Sequence, residues 1–75
     1  MRWTAEIVLK SGKYTTVTDL QTINWKSHSD GSIVSKTDFK NFILPTNRIL
    51  TFVGENNVVS LNSSDIEYLS LYQTN

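Results

Sequence analysis

The sequence contains no cysteine and a single histidine, His28. Without cysteine the chain can form neither a disulfide nor a thiolate metal site, and a zinc site would have to draw its three or four ligands almost wholly from carboxylates. A histidine-assisted nucleophile would have to use His28, which lies in the segment most typical of a mobile loop. We therefore predict no metal site, no cofactor and synthesis in a reducing compartment.

Glycine is also scarce. The three glycines, Gly12, Gly31 and Gly54, are each isolated in a predicted turn, so the chain has no glycine-rich loop that could cradle a phosphate. The carboxylates form no spaced pair typical of paired acid and base catalysis, since Asp65 and Glu67 would simply share one exposed strand face. Together with the isolated histidine, this predicts that the protein is not an enzyme.

Long hydrophobic runs are absent, because no apolar stretch approaches the roughly 20 residues that span a membrane. The first ten residues, MRWTAEIVLK, lack the apolar centre of a signal peptide because Glu6 interrupts them. Seven Lys and Arg residues balance seven Asp and Glu residues, whereas domains that bind phosphate backbones are usually basic. These features predict a cytoplasmic protein without a membrane partner.

What the chain does contain is the pattern of short β-strands. With 75 residues we expect one small domain, 1–75. Residues 3–10 alternate apolar and polar side chains, as a half-buried strand requires. Strands are also predicted at residues 13–18, 22–26 and 32–36, with a bulge or corner near Asp19 and Leu20 and a loop at residues 27–31.

The densest block of core-forming residues is 48–72, which predicts a β-hairpin followed by a third strand. Residues 54–57, Gly-Glu-Asn-Asn, include residue types that tolerate a positive φ, as a tight reversal of the chain requires. Asn62, Ser63, Ser64 and Asp65 can hydrogen-bond their own backbone, so a turn or a single 3₁₀ turn is expected there, before a last strand at residues 66–72.

Residues 37–44 are ambiguous. Thr37 or Asp38 could cap a helical turn with Phe39, Phe42 and Ile43 on one face, at spacings of three and four. A strand would instead separate Phe42 from Phe39. The segment is too short for a stable isolated helix, and we favour the strand.

Aromatic and basic side chains are concentrated on or near the predicted hairpin of residues 22–40, and they form the candidate binding set Trp25, Lys26, His28, Lys36 and Lys40. Single-stranded nucleic acid is bound by aromatic rings that stack on bases and by cations that neutralise phosphates. The simpler interpretation, which we favour, places Trp25 in the core and lets the lysines keep the sheet edges soluble. Both Trp3 and Trp25 can belong either to the core or to an interface.

The block TFVGENNVVSLNSSDIEYLSLY, residues 51–72, resembles the closing hairpin, one-turn pause and last strand of SH3-like and Sm-like small barrels. In those folds the polar turn comparable to NSSD is commonly a 3₁₀ turn. The Ser-, Thr- and Asn-rich, cysteine-free composition is also similar in style to small accessory proteins of phages and mobile elements of Gram-positive bacteria. That similarity implies a non-catalytic protein that binds or inhibits one host protein.

The sequence thus predicts an all-β domain of five to six short antiparallel strands, arranged as a small, partly open SH3-like barrel or a strongly bent sheet. Its expected role is a non-catalytic protein-binding module, because a neutral surface with aromatic residues suits a protein partner better than a polyanion. The partner can be a host protein or a second copy, since an open barrel exposes strand edges. The alternatives are a nucleic-acid-binding barrel that uses the 22–40 hairpin and a structural subunit of a larger assembly.

Overall fold

The computed structural model describes residues 2–74. Within this range seven β-strands follow one another: β1 (Arg2–Leu9), β2 (Tyr14–Val17), β3 (Leu20–Lys26), β4 (Ile33–Lys36), β5 (Ile49–Gly54), β6 (Val58–Asn62) and β7 (Ile66–Thr74). Two single 3₁₀ turns, Phe39–Asn41 and Ser63–Asp65, precede β5 and β7. The all-β prediction is confirmed, with seven strands in place of the five or six expected.

The strands form two antiparallel sheets that do not close into a barrel. One sheet has three strands in the order β2-β1-β7, and the other has four in the order β4-β3-β5-β6. Three pairs of strands are neighbours both along the chain and in a sheet: β1 and β2, β3 and β4, and β5 and β6. A short connection joins the two strands of each pair, as antiparallel pairing allows. The long strand β1 pairs with β7 along its full length, which ties the two ends of the described chain together.

The core lies between the two sheets and is built from side chains that alternate along each strand. Its fully buried members include Ile7, Ile23 and Phe52, from β1, β3 and β5. Complete burial of a side chain of this size contributes about 1.5–3 kcal/mol. The whole buried set is Ala5, Ile7, Val17, Leu20, Ile23, Phe39, Leu50, Phe52 and Ile66.

The corner predicted near Asp19 and Leu20 is present. Asp19 has a φ of 51°, in the left-handed region, and the pairing of β3 with β5 shifts register between Leu20 and Thr22. The carbonyl of Asp19 accepts a hydrogen bond of 3.2 Å from the backbone N–H of Glu55. This corner lets the chain leave the three-stranded sheet after β2 and enter the four-stranded sheet as β3.

The turn between β5 and β6 was predicted in the right place for the wrong reason. None of residues 54–57 has a positive φ. Gly54 is needed for space instead, because a Cβ there would lie 2.6 Å from Cγ1 of Val17 and 2.7 Å from the carbonyl oxygen of Thr18. The glycine therefore permits close approach of the two sheets at this corner.

The strand favoured for residues 37–44 is wrong. The segment contains the 3₁₀ turn Phe39–Asn41 and is otherwise irregular. Phe39 is buried and packs edge-to-face on Trp3, with ring centroids 5.7 Å apart, so it fills the opening between the sheets. Ile43 is 84% exposed, so the helical-turn alternative is also only partly correct.

The pause before the last strand is confirmed as a 3₁₀ turn. Oδ1 of Asn62 accepts hydrogen bonds from the backbone N–H and the hydroxyl of Ser64, both 2.9 Å long. The buried Ser63 is bonded twice to Arg48: its hydroxyl accepts from the Arg48 N–H at 2.9 Å, and its own N–H donates to the Arg48 carbonyl at 2.7 Å. The turn is thereby fixed to the start of β5.

Candidate binding surfaces

The hairpin of β3 and β4 places the predicted binding residues on two different faces. Trp25 is paired with Val34, and Lys26 is paired with Ile33. Because neighbouring strand residues point to opposite faces, Trp25 points to the same side as the buried Ile23, and Lys26 points outward. The hairpin therefore separates its aromatic residue from its first lysine.

A cleft of about 310 Å³ lies at the end of the four-stranded sheet where β3 ends and β5 begins, and Lys26 and His28 line it. The same cleft is lined by Arg48, which the sequence analysis did not include, and none of its lining residues is acidic. Arg48 Nη1 donates hydrogen bonds to the carbonyls of Thr46 and Asn47, at 3.0 and 3.2 Å. The arrangement offers two cations and an imidazole to an anionic group.

The loop beside this cleft is ordered by its own small polar side chains. The hydroxyls of Ser27 and Ser29 are 2.9 Å apart, and the Gly31 N–H donates to the Ser27 carbonyl at 3.0 Å. Oδ1 of Asp30 accepts from the hydroxyl and the backbone N–H of Ser32, at 2.7 and 3.0 Å. The two hydrogen bonds from Ser32 hold the pKa of Asp30 below its usual value, and the bond from the hydroxyl has the larger effect.

Trp25 and Lys36 line a different, smaller pocket of about 220 Å³. Trp25 is partly buried and packs against the core, with its ring edge-to-face to Phe42 at 6.0 Å between centroids. Lys40 is exposed on the 3₁₀ turn and does not line either of these clefts. The five predicted residues are thus brought together as two pairs and one separate lysine.

A larger surface, which the sequence analysis missed, is the outward face of the three-stranded sheet. All three tyrosines of the chain lie there and are exposed: Tyr14 by 78%, Tyr68 by 61% and Tyr72 by 37%. We call this surface the tyrosine face, and its accessible residues are Glu6, Val8, Tyr14, Thr16, Tyr68, Ser70 and Tyr72, while Thr4 on the same face is buried.

Register places the tyrosine face in ordered rows. Val8 of β1 is paired with Tyr14 of β2 on one side and with Tyr68 of β7 on the other. In the next row Glu6 is paired with Thr16 and with Ser70. Directly opposite side chains in an antiparallel sheet lie about 4.5–5.5 Å apart at Cβ, so the first row is a continuous aromatic and aliphatic strip.

The electrostatics of the tyrosine face are nearly neutral. The hydroxyl of Tyr72 donates a hydrogen bond of 2.6 Å to Oε1 of Glu6, and this bond raises the pKa of the Tyr72 phenol. At the end of β1 the guanidinium of Arg2 lies 3.4 Å from a carboxylate oxygen of Asp19. A surface with aromatic groups and a single charged side chain, which is acidic, has the composition of a protein interface more than that of a phosphate-binding surface.

The free edge of β7 borders an apolar groove. Among the described strands β7 pairs only with β1, so its other edge has no strand beside it. A groove of about 350 Å³ runs along this edge and is lined by Phe39, Phe42, Leu44, Leu69 and Leu71. Unpaired strand edges next to apolar surface are sites where another chain can add.

The sequence did carry a signal for the tyrosine face. In β7 Tyr68 and Tyr72 alternate with Leu69 and Leu71, and period two places the tyrosines together on the face opposite the leucines. The position of Tyr14 beside them depends on pairing with β1, which a single strand pattern does not reveal.

Among residues 2–74 no group of three or more His, Cys, Asp or Glu side chains is placed to hold a metal ion. Over the same residues, no helix has the length and apolar character needed to cross a membrane. Comparison of this chain with protein families, curated proteins and solved structures gave no match.

Proposed function

We propose that this protein is a non-catalytic protein-binding module that contacts its partner through the tyrosine face. The observation that carries the proposal is the placement of all three tyrosines, exposed, on the outer face of one sheet. Tyrosine combines a large apolar ring with a polar tip and loses little conformational entropy when it is fixed, which is why it is enriched at interfaces.

The outer face of the four-stranded sheet supports such a role less well. Its exposed apolar residues are the aliphatic Ile33, Ile49 and Val58, each on a different strand, β4, β5 and β6. Polar residues separate them, because Asn24 and Thr51 are paired in the two inner strands. Single exposed aliphatic residues are common on protein surfaces, whereas an ordered row of aromatic residues is not.

The setting we propose is that of an accessory or inhibitor protein of a phage or mobile element, acting on a host protein in the cytoplasm. Its support is the similarity of composition to such proteins. An SH3-like arrangement is part of the same proposal, supported by the 3₁₀ turn Ser63–Asp65 between the last two strands.

A second candidate function, binding of single-stranded nucleic acid, is favoured by one observation. The outer cleft combines Lys26, His28 and Arg48 without an acidic residue in its lining. Its weakness as a stacking site is that Trp25 lies on the opposite face of β3, so base stacking and phosphate contact would occur at different places.

The two candidates differ in their response to salt, because binding that depends on phosphate contacts weakens steeply as salt rises. We would titrate labelled single-stranded DNA and RNA with the protein by fluorescence anisotropy at low and moderate salt. The proposed function predicts no binding even at low salt. Binding that survives moderate salt and is lost in both Lys26→Ala and Arg48→Ala would overturn it in favour of nucleic acid.

A further inference from the structure

The strand β7 has a symmetric sequence at its centre. Residues 68–72 are Tyr-Leu-Ser-Leu-Tyr, which is the same in both directions about Ser70. Tyr68, Ser70 and Tyr72 belong to the tyrosine face, while Leu69 and Leu71 line the groove on the inner side. The free edge of β7 therefore presents the same pattern of side chains whichever way it is approached.

An antiparallel pairing of this edge with that of a second copy, about a two-fold axis through Ser70, would match each residue of the segment 68–72 with a similar one. Tyr68 would lie opposite Tyr72 of the partner subunit, on the outer face. Leu69 would lie opposite Leu71 of the partner subunit, on the inner face. Two-fold interfaces require this kind of self-complementary surface, and aromatic cross-strand pairs are among the favourable ones in a sheet.

The charges along the edge are compatible with the same pairing. Glu67 is the charged residue of β7, and it lies at the register shift just outside residues 68–72, so the central pairing places no carboxylate opposite another. The chain has a formal net charge of zero, so two copies are not held apart by long-range repulsion. No like charges need to be buried opposite one another across the axis.

The size of the surface is sufficient for a specific dimer of modest affinity. The nine residues of β7 span roughly 30 Å. Across the edge the contact would include the tyrosines, the strand itself and the groove side with Leu44, a width of about 20 Å for two packed layers. The product, on the order of 600 Å² from each copy, reaches the roughly 1,200 Å² in total at which specific interfaces begin.

We propose that the free edge of β7 is the interface of a two-fold symmetric homodimer centred on Ser70. Pairing of the edges joins the two three-stranded sheets into one sheet of six strands and places the two tyrosine faces side by side. It also satisfies the unpaired backbone groups of β7 and covers the apolar groove on both copies. This inference goes beyond the proposed function and stands or fails separately from it.

The absence of cysteine from the chain allows a direct test of the register. Opposite Cα atoms in an antiparallel pair are about 4.5–5.5 Å apart, within the range that a disulfide spans. The Ser70→Cys variant should therefore form a covalent dimer rapidly and almost completely under mild oxidation. The matched control is Thr16→Cys, because Thr16 occupies the same row on the far edge of the same sheet, also opposite Glu6.

A second pair of variants tests the interface without cross-linking. In Ser70→Lys two lysines would face each other across the axis, and opposed like charges destabilise a strand pair. Within its own chain the new lysine lies beside Glu6, so the fold should be retained, as circular dichroism can verify. We expect the dissociation constant of the dimer, measured by sedimentation equilibrium, to rise about tenfold or more in Ser70→Lys. The dissociation constant of Thr16→Lys should stay close to that of wild type.

Two results would overturn the proposal. One is a wild-type chain that sediments as a monomer up to millimolar concentration. The other is Ser70→Cys cross-linking no faster than Thr16→Cys, which would place any dimer on another surface. A failure of the proposed function would show differently, because Tyr14 lies at the far edge of the sheet and its substitution should affect partner binding without changing the dimer.

Discussion

Tyr72 and Glu6 are joined by a hydrogen bond of 2.6 Å in which the phenol of Tyr72 donates to Oε1 of Glu6. The two residues come from opposite ends of the chain and meet because β7 pairs with β1. Their contact fixes the ring of Tyr72 against the sheet, so the tyrosine face is partly ordered before any partner arrives. Preordering of this kind reduces the entropy lost on binding.

The first prediction concerns the titration of Tyr72. The hydrogen bond to Glu6 stabilises the protonated phenol and raises the pKa of Tyr72 in the folded protein. The stabilising contribution is therefore complete at pH values below the ordinary pKa of tyrosine and is lost as the pH rises through the raised value. Glu6→Gln should lower the pKa of Tyr72 toward its ordinary value, as followed by NMR of the Tyr72 ring.

The control for this titration is Glu67→Gln, which removes a carboxylate from β7 that makes no hydrogen bond to Tyr72. The Tyr72 titration should be the same in this variant as in wild type. An unchanged titration in Glu6→Gln would contradict the assignment of the raised pKa to the carboxylate of Glu6.

The second prediction concerns Ser63, whose buried hydroxyl accepts the backbone N–H of Arg48. Ser63→Ala leaves that N–H without its partner, which costs about 1–3 kcal/mol of unfolding free energy. The neighbouring Ser64 bonds only to Asn62 at the surface, so Ser64→Ala should cost less than about 0.5 kcal/mol. Urea unfolding of the two variants measures the difference, and equal stabilities would contradict the role given to Ser63.

The third prediction concerns Gly54. A methyl group at this position would meet Cγ1 of Val17 and the carbonyl oxygen of Thr18 at distances well inside van der Waals contact. Gly54→Ala should therefore destabilise the protein by about 1–3 kcal/mol, as overpacking usually does. Glu55→Ala, at the next and exposed position, should remain within about 0.5 kcal/mol of wild type in thermal or urea unfolding. A Gly54→Ala variant as stable as wild type would mean that the two sheets can separate at this corner.

The strands were largely predictable because their signals are local. Period-two alternation in β1, the turn residues 62–65 and the corner at Asp19 each depend on a few neighbouring residues. The segment containing Phe39 was predicted wrongly because its conformation depends on a distant contact. Phe39 turns inward to pack on Trp3, and that tertiary contact overrides the strand propensity of the neighbouring residues.

The binding surfaces were less predictable for the same reason. Arg48 joins Lys26 and His28 only because β5 pairs with β3, and Tyr14 joins Tyr68 only because both strands flank β1. Residues that are close in the sequence could be assigned to each surface by prediction. The residues that join them through long-range strand pairing could not. The candidate set at residues 22–40 therefore remains a prediction, divided by the structure between two faces.

The measurement that tests the central claim most directly is a quantitative affinity capture with matched surface variants. The immobilised protein would be exposed to a lysate of the organism that encodes it, in parallel with the Tyr14→Ser variant and with the control variant Ile33→Ser. Each variant removes one exposed side chain, but only the first alters the tyrosine face, and it does so at the edge away from β7. We predict that a protein retained by wild type is lost with the tyrosine variant and kept with the control. Retention of the same protein by the tyrosine variant would contradict the account.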